Sequence, residues 1–204
     1  MSLPLIAGIF ATVFFLSLGG TRLALAYLKR RAILDHPNAR SSHSIPTPRG
    51  GGLAVSAVLI AAWAALALNG FGDFFQISIL CACTFGLAAL SWWDDLRPLP
   101  ARVRLLGQIT AVSIALLLSP NGGSYFGDSL PIWLDLFLAG YLWVWFLNLF
   151  NFMDGIDGIT ATETTAICTG IALITASTTA GLFPYAVVTA AAALGFLWWD
   201  WPPA

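Results

Sequence analysis

Four carboxylates in this chain fall into two tight groups. Asp94 and Asp95 are adjacent, directly after Trp92-Trp93, and Asp154 and Asp157 belong to the stretch Asn148-Leu149-Phe150-Asn151-Phe152-Met153-Asp154-Gly155-Ile156-Asp157-Gly158. In the second group Asn148, Asn151, Asp154 and Asp157 recur every third position, so on a continuous helix they share one slowly drifting face. Gly155 and Gly158 loosen such a helix and predict a break there, with close approach of the backbone to a ligand. A third polar stretch, Asp35 to Gly52, carries His36, Arg40, His43 and Arg49 and runs into Gly50-Gly51-Gly52. Glycines that open a helix expose backbone N–H groups, and Arg49 adds a fixed positive fork; together they suit a phosphate. Oxygen-only ligands favour Mg²⁺ or Mn²⁺. Such an ion would neutralise a diphosphate and stabilise charge on a transferring phosphoryl group. Cys81, Cys83 and Cys168 lie inside apolar runs with neither metal-pair spacing nor a disulfide framework, and read as packing residues.

The elements that must position these groups are membrane helices. Of 204 residues 58% are hydrophobic and only 9% charged, whereas a soluble domain carries about 25% charged residues. The composition excludes an ordinary cytosolic globule and a disordered chain, and a net charge of −1 gives no reason to expect nucleic-acid binding. Apolar runs of about bilayer-crossing length lie near Leu3–Leu18, Leu53–Leu68, Ile77–Trp93, Leu105–Leu118, Ile132–Leu147, Ala166–Ala180 and Leu182–Trp199. The fourth is short and holds Gln108; the sixth is rich in Thr. The first has no basic residue before it and no small-residue cleavage site after it, so it is expected to be a retained span. The fold class expected is all-α: one polytopic transmembrane domain over residues 1–204, of about seven helices.

The basic residues are one-sided. Arg22, Lys29, Arg30, Arg31, Arg40 and Arg49 lie between the first two runs or at their edge, and Arg97, Arg102 and Arg104 lie between the third and fourth. The stretches Asn69–Gln76 and Ser119–Pro131 carry none. The positive-inside rule then places the N-terminus outside and both basic loops in the cytoplasm, and parity adds Asn148–Glu163 and Asp200. Trp92, Trp93, Trp143, Trp145, Trp198, Trp199 and Trp201 near the run ends read as an interfacial belt. Carboxylates at a membrane edge are costly unless they meet water, a cation or a partner. Ion pairs with Arg97, Arg102 and Arg104 would be purely structural, but two acidic groups on one side weigh toward a site. A lipid phosphate arriving from the bilayer and a nucleotide-sugar arriving from the cytosol could meet only at that face.

Three motifs in order carry a family resemblance: the Pro37–Gly52 loop; Asp94-Asp95 followed by Arg102-Val103-Arg104-Leu105 and Gln108; and Asn148–Gly158. With them the chain resembles the polyprenyl-phosphate N-acetylhexosamine-1-phosphate transferases, multi-pass enzymes of the bacterial inner membrane. The loop form His43-Ser44-Ile45-Pro46-Thr47-Pro48-Arg49-Gly50-Gly51 is more similar to the O-antigen and enterobacterial-antigen branch than to the peptidoglycan branch. The resemblance implies transfer of a sugar-1-phosphate from a UDP-N-acetylhexosamine to undecaprenyl phosphate, with release of UMP and dependence on Mg²⁺ or Mn²⁺. It implies that Asp94 and Asp95 manage the lipid phosphate, one as proton acceptor. Asn148, Asn151, Asp154 and Asp157 would hold the nucleotide side, Asp154 and Asp157 with the metal. Arg49, Gly50, Gly51, Arg102 and His43 would contact substrate.

In that family the chain continues beyond the equivalent of Ala204 into a Met-Gly-Asp-type loop with a metal-binding Asp, and later a His-rich loop. The sequence is therefore expected to be a fragment or truncated frame, inactive on its own. A degenerate, non-catalytic membrane relative is the second reading. A small transporter is the third, disfavoured because its ionisable residues would sit near mid-membrane or across repeats.

Overall fold

A computed structural model describes residues 2–32, 34–35, 47–48, 50–119, 124–127, 129–177 and 181–201. Among them are seven helices: α1 Leu3–Arg30, α2 Gly52–Leu68, α3 Phe74–Leu96, α4 Ala101–Leu117, α5 Ile132–Met153, α6 Ile159–Thr175 and α7 Leu182–Asp200. The only other regular structure among the described residues is a pair of two-residue antiparallel strands, β1 Leu34–Asp35 and β2 Thr47–Pro48, in register Leu34 to Pro48 and Asp35 to Thr47. The all-α, multi-pass expectation holds. Helices α1, α3, α5 and α7 are long and apolar enough to cross a membrane, and α2 and α6 are shorter apolar helices of 17 residues. At 1.5 Å per residue those two span about 26 Å, a little under the hydrocarbon thickness. Helix α4, with Arg102, Arg104 and Gln108, is the least apolar of the seven.

Local chemistry sets the helix ends. Asp73 caps α3 by accepting from the Gln76 amide at 2.6 Å, satisfying one of the orphan donors of a first turn. Helix α3 stops at Leu96 because Arg97 precedes Pro98 and is forced to extended backbone (φ −145°, ψ 109°). Pro100 and Pro131 stand at the starts of α4 and α5, where a missing N–H costs nothing. Two boundaries differ from the apolar runs. Helix α1 continues past Leu18 to Arg30, its basic last turn favourably placed at the helix C-terminus. Helix α6 begins at Ile159, seven residues before the apolar run does. There Thr164 and Thr165 donate to the carbonyls of Thr160 and Ala161 at 2.7 Å each, so threonine hydroxyls are satisfied inside the helix.

Helix α7 is the centre of the bundle, packing on α1, α2 and α6. Val188, Ala191 and Ala192 are almost wholly buried in it. The small residues let α1 come close: a Cβ at Gly195 would lie 2.5 Å from the Phe14 carbonyl oxygen. Ser17 Oγ donates to Ala192 O at 2.6 Å and Trp199 Nε1 to Leu18 O at 2.9 Å. Small residues and interhelical hydrogen bonds of this kind drive helix association in lipid, where apolar surface alone does not. On the other flank Trp63 Nε1 donates to Thr189 Oγ1 at 3.2 Å, and its ring meets Tyr185 edge to face.

The remaining helices follow in series, α3 on α2, α4 on α3 and α5 on α4. Successive helices run antiparallel, as paired contacts show: Cys81 beside Ile60 while Trp92 faces Gly50; Cys83 beside Ala111 while Asp94 meets Arg104; Leu116 beside Gly140 while Gln108 meets Asn148. The C-terminal ends of α1, α3, α5 and α7 and the starts of α2, α4 and α6 therefore gather at one end of the bundle.

Candidate active site at the polar end of the bundle

At the α3–α4 corner Asp94 is fully engaged. Its Oδ1 accepts from the Leu99 amide at 2.6 Å, and its Oδ2 accepts from Arg104 Nη1 at 3.3 Å. The tight Arg97-Pro98-Leu99-Pro100 link brings the Leu99 amide back onto the carboxylate. Asp95 is half-buried beside it. Of the three arginines that could pair with Asp94, the structure selects Arg104; Arg102, expected to contact substrate, is exposed in the first turn of α4. One turn further, Gln108 Oε1 accepts from Asn148 Nδ2 at 2.7 Å, and the same Nδ2 reaches Val144 O at 2.8 Å. Arg104 and Gln108 are four residues apart and so share a face of α4. That face ties the Asp94 corner to α5, a link that spacing alone does not reveal.

The expected break in the second acidic group is present. Helix α5 ends at Met153 with Asp154 as its C-cap, and α6 starts after Gly158, which has φ +76°. Asn148 and Asn151 stay helical and exposed, while Asp154 and Asp157 are carried on the turn, also exposed. Asp154 Oδ1 accepts from Thr160 Oγ1 in a short hydrogen bond. The Gly158 amide donates to Asp200 Oδ2 at 3.1 Å. Asp200, the sole acid of α7, is thereby fixed against the residue that follows Asp157. From the sequence only its side of the membrane is expected; its signal is a lone charged residue closing an otherwise uncharged helix.

The glycine triplet opens α2, as expected. Gly50 has φ +91°, and a Cβ on it would lie 2.6 Å from Trp92 Cζ3; one on Gly51 would lie 3.4 Å from Phe196 Cε2. Both glycines thus also have a packing reason to be glycine. These contacts close a circuit: glycine segment to the end of α3, Asp94 through α4 to Asn148, the α5–α6 turn to Asp200, and α7 back to Gly51. His36, His43 and Arg49 lie outside the described residues.

Among the described residues no three or more His, Cys, Asp or Glu side chains are grouped as a ready-made metal cage. Mg²⁺ does not need one: it is usually held by one or two carboxylates, with waters and substrate phosphates completing the shell. Asp154 and Asp157 supply that donor number and type. Beside the site, an open apolar groove of about 620 Å³ runs between α4 and α5, lined by Leu105, Ile109, Leu116, Phe137 and Tyr141 and reaching Asn148.

Helical architecture and site together define a multi-pass membrane protein with its polar chemistry gathered at one end. Residues 77–204 match the family described as Glycosyl transferase family 4, and the chain belongs to that family. It is similar to the decaprenyl-phosphate N-acetylglucosaminephosphotransferase of Mycolicibacterium smegmatis, 32% identical over 162 residues, covering 72% of this chain and 37% of the relative. The "Probable undecaprenyl-phosphate N-acetylglucosaminyl 1-phosphate transferase" of Bacillus subtilis is 28% identical over 204 residues, 94% of this chain and 55% of the relative. A phospho-N-acetylmuramoyl-pentapeptide-transferase of Mycolicibacterium vanbaalenii is 29% identical over 146 residues, 62% and 36%. The chain thus spans about half the length, or less, of these curated relatives.

Proposed function

We propose that the protein transfers an N-acetylhexosamine 1-phosphate from a UDP-sugar to undecaprenyl phosphate, releasing UMP, at the cytoplasmic face of a bacterial inner membrane. The observation that carries this reading is the gathering of the glycine segment, the Asp94–Asp95 corner and the acidic turn at one end of the bundle. The names of the relatives support polyprenyl phosphate as acceptor and N-acetylglucosamine phosphate as the group moved. The loop form of His43–Gly51 is the ground for the O-antigen or enterobacterial branch.

In the reaction an oxygen of the lipid phosphate attacks the β-phosphorus of the UDP-sugar. A new P–O bond forms as the bond from that phosphorus to the bridging oxygen breaks, and the electron pair leaves with UMP. Such a step asks for positioning and charge stabilisation more than covalent help. Asp154 and Asp157 would hold Mg²⁺, or Mn²⁺, which supplies charge neutralisation on the diphosphate. Asn148 and Asn151 line the approach to the nucleotide side, with Asn148 oriented by Gln108. The Asp94–Asp95 pair faces the lipid phosphate, one member as proton acceptor, and Arg104 fixes the Asp94 carboxylate. Arg49, Arg102, His43 and the amides of Gly50 and Gly51 contribute phosphate contacts. The groove between α4 and α5 gives an apolar chain a path from the bilayer to Asn148.

The test is UMP release by the complete reading frame that contains these residues, with Mg²⁺, undecaprenyl phosphate and UDP-GlcNAc. Release that requires all three supports the reading; no release with UDP-GlcNAc or other UDP-N-acetylhexosamines refutes it.

A further inference from the structure

The α5–α6 turn is held at both ends, and the far end is held by a helix outside the three motifs. Asp200 Oδ2 reaches across 42 residues to the Gly158 amide. Gly158 is buried, left-handed and pressed by its neighbours: a Cβ there would lie 3.3 Å from Trp201 Cε3 and 3.5 Å from Leu197 Cδ1. Its carbonyl in turn accepts from the Thr162 amide at 3.0 Å, opening α6. The end of α7 therefore sets where the turn stops and α6 begins. Any shift of Asp200 moves the segment that carries Asp154 and Asp157.

A neutral acceptor would serve for that hydrogen bond alone. A carboxylate bonded to the residue that follows Asp157 also adds a third negative charge to the turn, which repels the other two unless a cation is near. We propose that Asp200 is a positioning residue for the acidic turn: its carboxylate fixes Gly158, and its charge strengthens the turn's hold on a divalent cation. The inference rests on the reading of Asp154 and Asp157 as the cation-holding pair.

The two roles separate in three variants of the complete protein, each read by amide hydrogen exchange over residues 154–159 and by transferase kinetics with Mg²⁺. D200N keeps an acceptor and loses the charge. It is expected to leave exchange and kcat within about twofold and to raise half-saturation by Mg²⁺ about threefold. D200E keeps the charge but displaces the acceptor and with it the turn, so exchange over the turn quickens and kcat falls about tenfold, which D200N does not do. D200A loses both, with exchange about tenfold faster; if it does not fold, the Asn and Glu pair still decides. Equal effects of Asn and Glu on kcat and on Mg²⁺ dependence, or exchange unchanged in all variants, overturn the proposal. If the exchange pattern appears but no form, the parent included, transfers sugar phosphate, the transferase reading falls and only the Gly158 clamp survives.

Discussion

Asp135 and the acidic turn, at opposite ends of the bundle, hold their carboxylates in opposite ways. At the end away from the site, Asp135 in the first turn of α5 is 1% exposed, and both its oxygens are taken, by the Tyr125 amide at 2.8 Å and the Phe126 amide at 2.9 Å. At the polar end, Asp157 is exposed on a turn, and Asp154 is exposed and accepts from the Thr160 hydroxyl. A carboxylate withdrawn from water needs every lone pair answered; one left in water keeps lone pairs to spend on a ligand. Asp135 is a staple for the outer loop, and the acidic turn is a place where something else can bind.

This contrast can be broken in four ways. Asp157→Ala in the complete protein should lower turnover by about 10²–10³-fold, the scale of losing one transition-state charge contact, and shift stability by less than about 0.5 kcal/mol. Unchanged turnover, or a large loss of melting temperature, would make Asp157 a structural residue like Asp135. Conversely, Asp135→Ala strands two amides and should destabilise the fold by about 2–5 kcal/mol, read by thermal unfolding in detergent; an unshifted transition would show that the staple carries no stability. Gly158→Ala forces a side chain into left-handed backbone and should cost about 1–2 kcal/mol, with faster exchange in the turn. Smallest is Arg104→Ala: its partly exposed ion pair with Asp94 is worth less than about 1 kcal/mol, so melting should barely move and added salt should not matter further.

Much of the scaffold is legible in the sequence because lipid leaves few choices: long apolar runs must be helices, and basic residues mark the loops. The break at Gly155–Gly158 and the start of α2 at the glycine triplet follow from glycine chemistry. What the sequence hid has physical reasons. The first turns of α6 look polar only until their threonines are seen bonding back to their own helix. Arg104, rather than Arg97 or Arg102, meets Asp94 because the Pro98–Pro100 link sets the angle at which α4 leaves the corner. Asp200 was missed because its partner is a backbone amide 42 residues away, which no side-chain pattern announces.

The close meeting of α1 and α7 has a consequence for how the protein is made. Ser17 finds Ala192 and Trp199 finds Leu18 across 175 and 181 residues, so α1 lacks its main partner until α7 is synthesised. At ribosomal rates of about 5–20 residues per second, that is a delay of about 10–35 s. Throughout it the face of α1 that Gly195 approaches so closely has no α7 to meet.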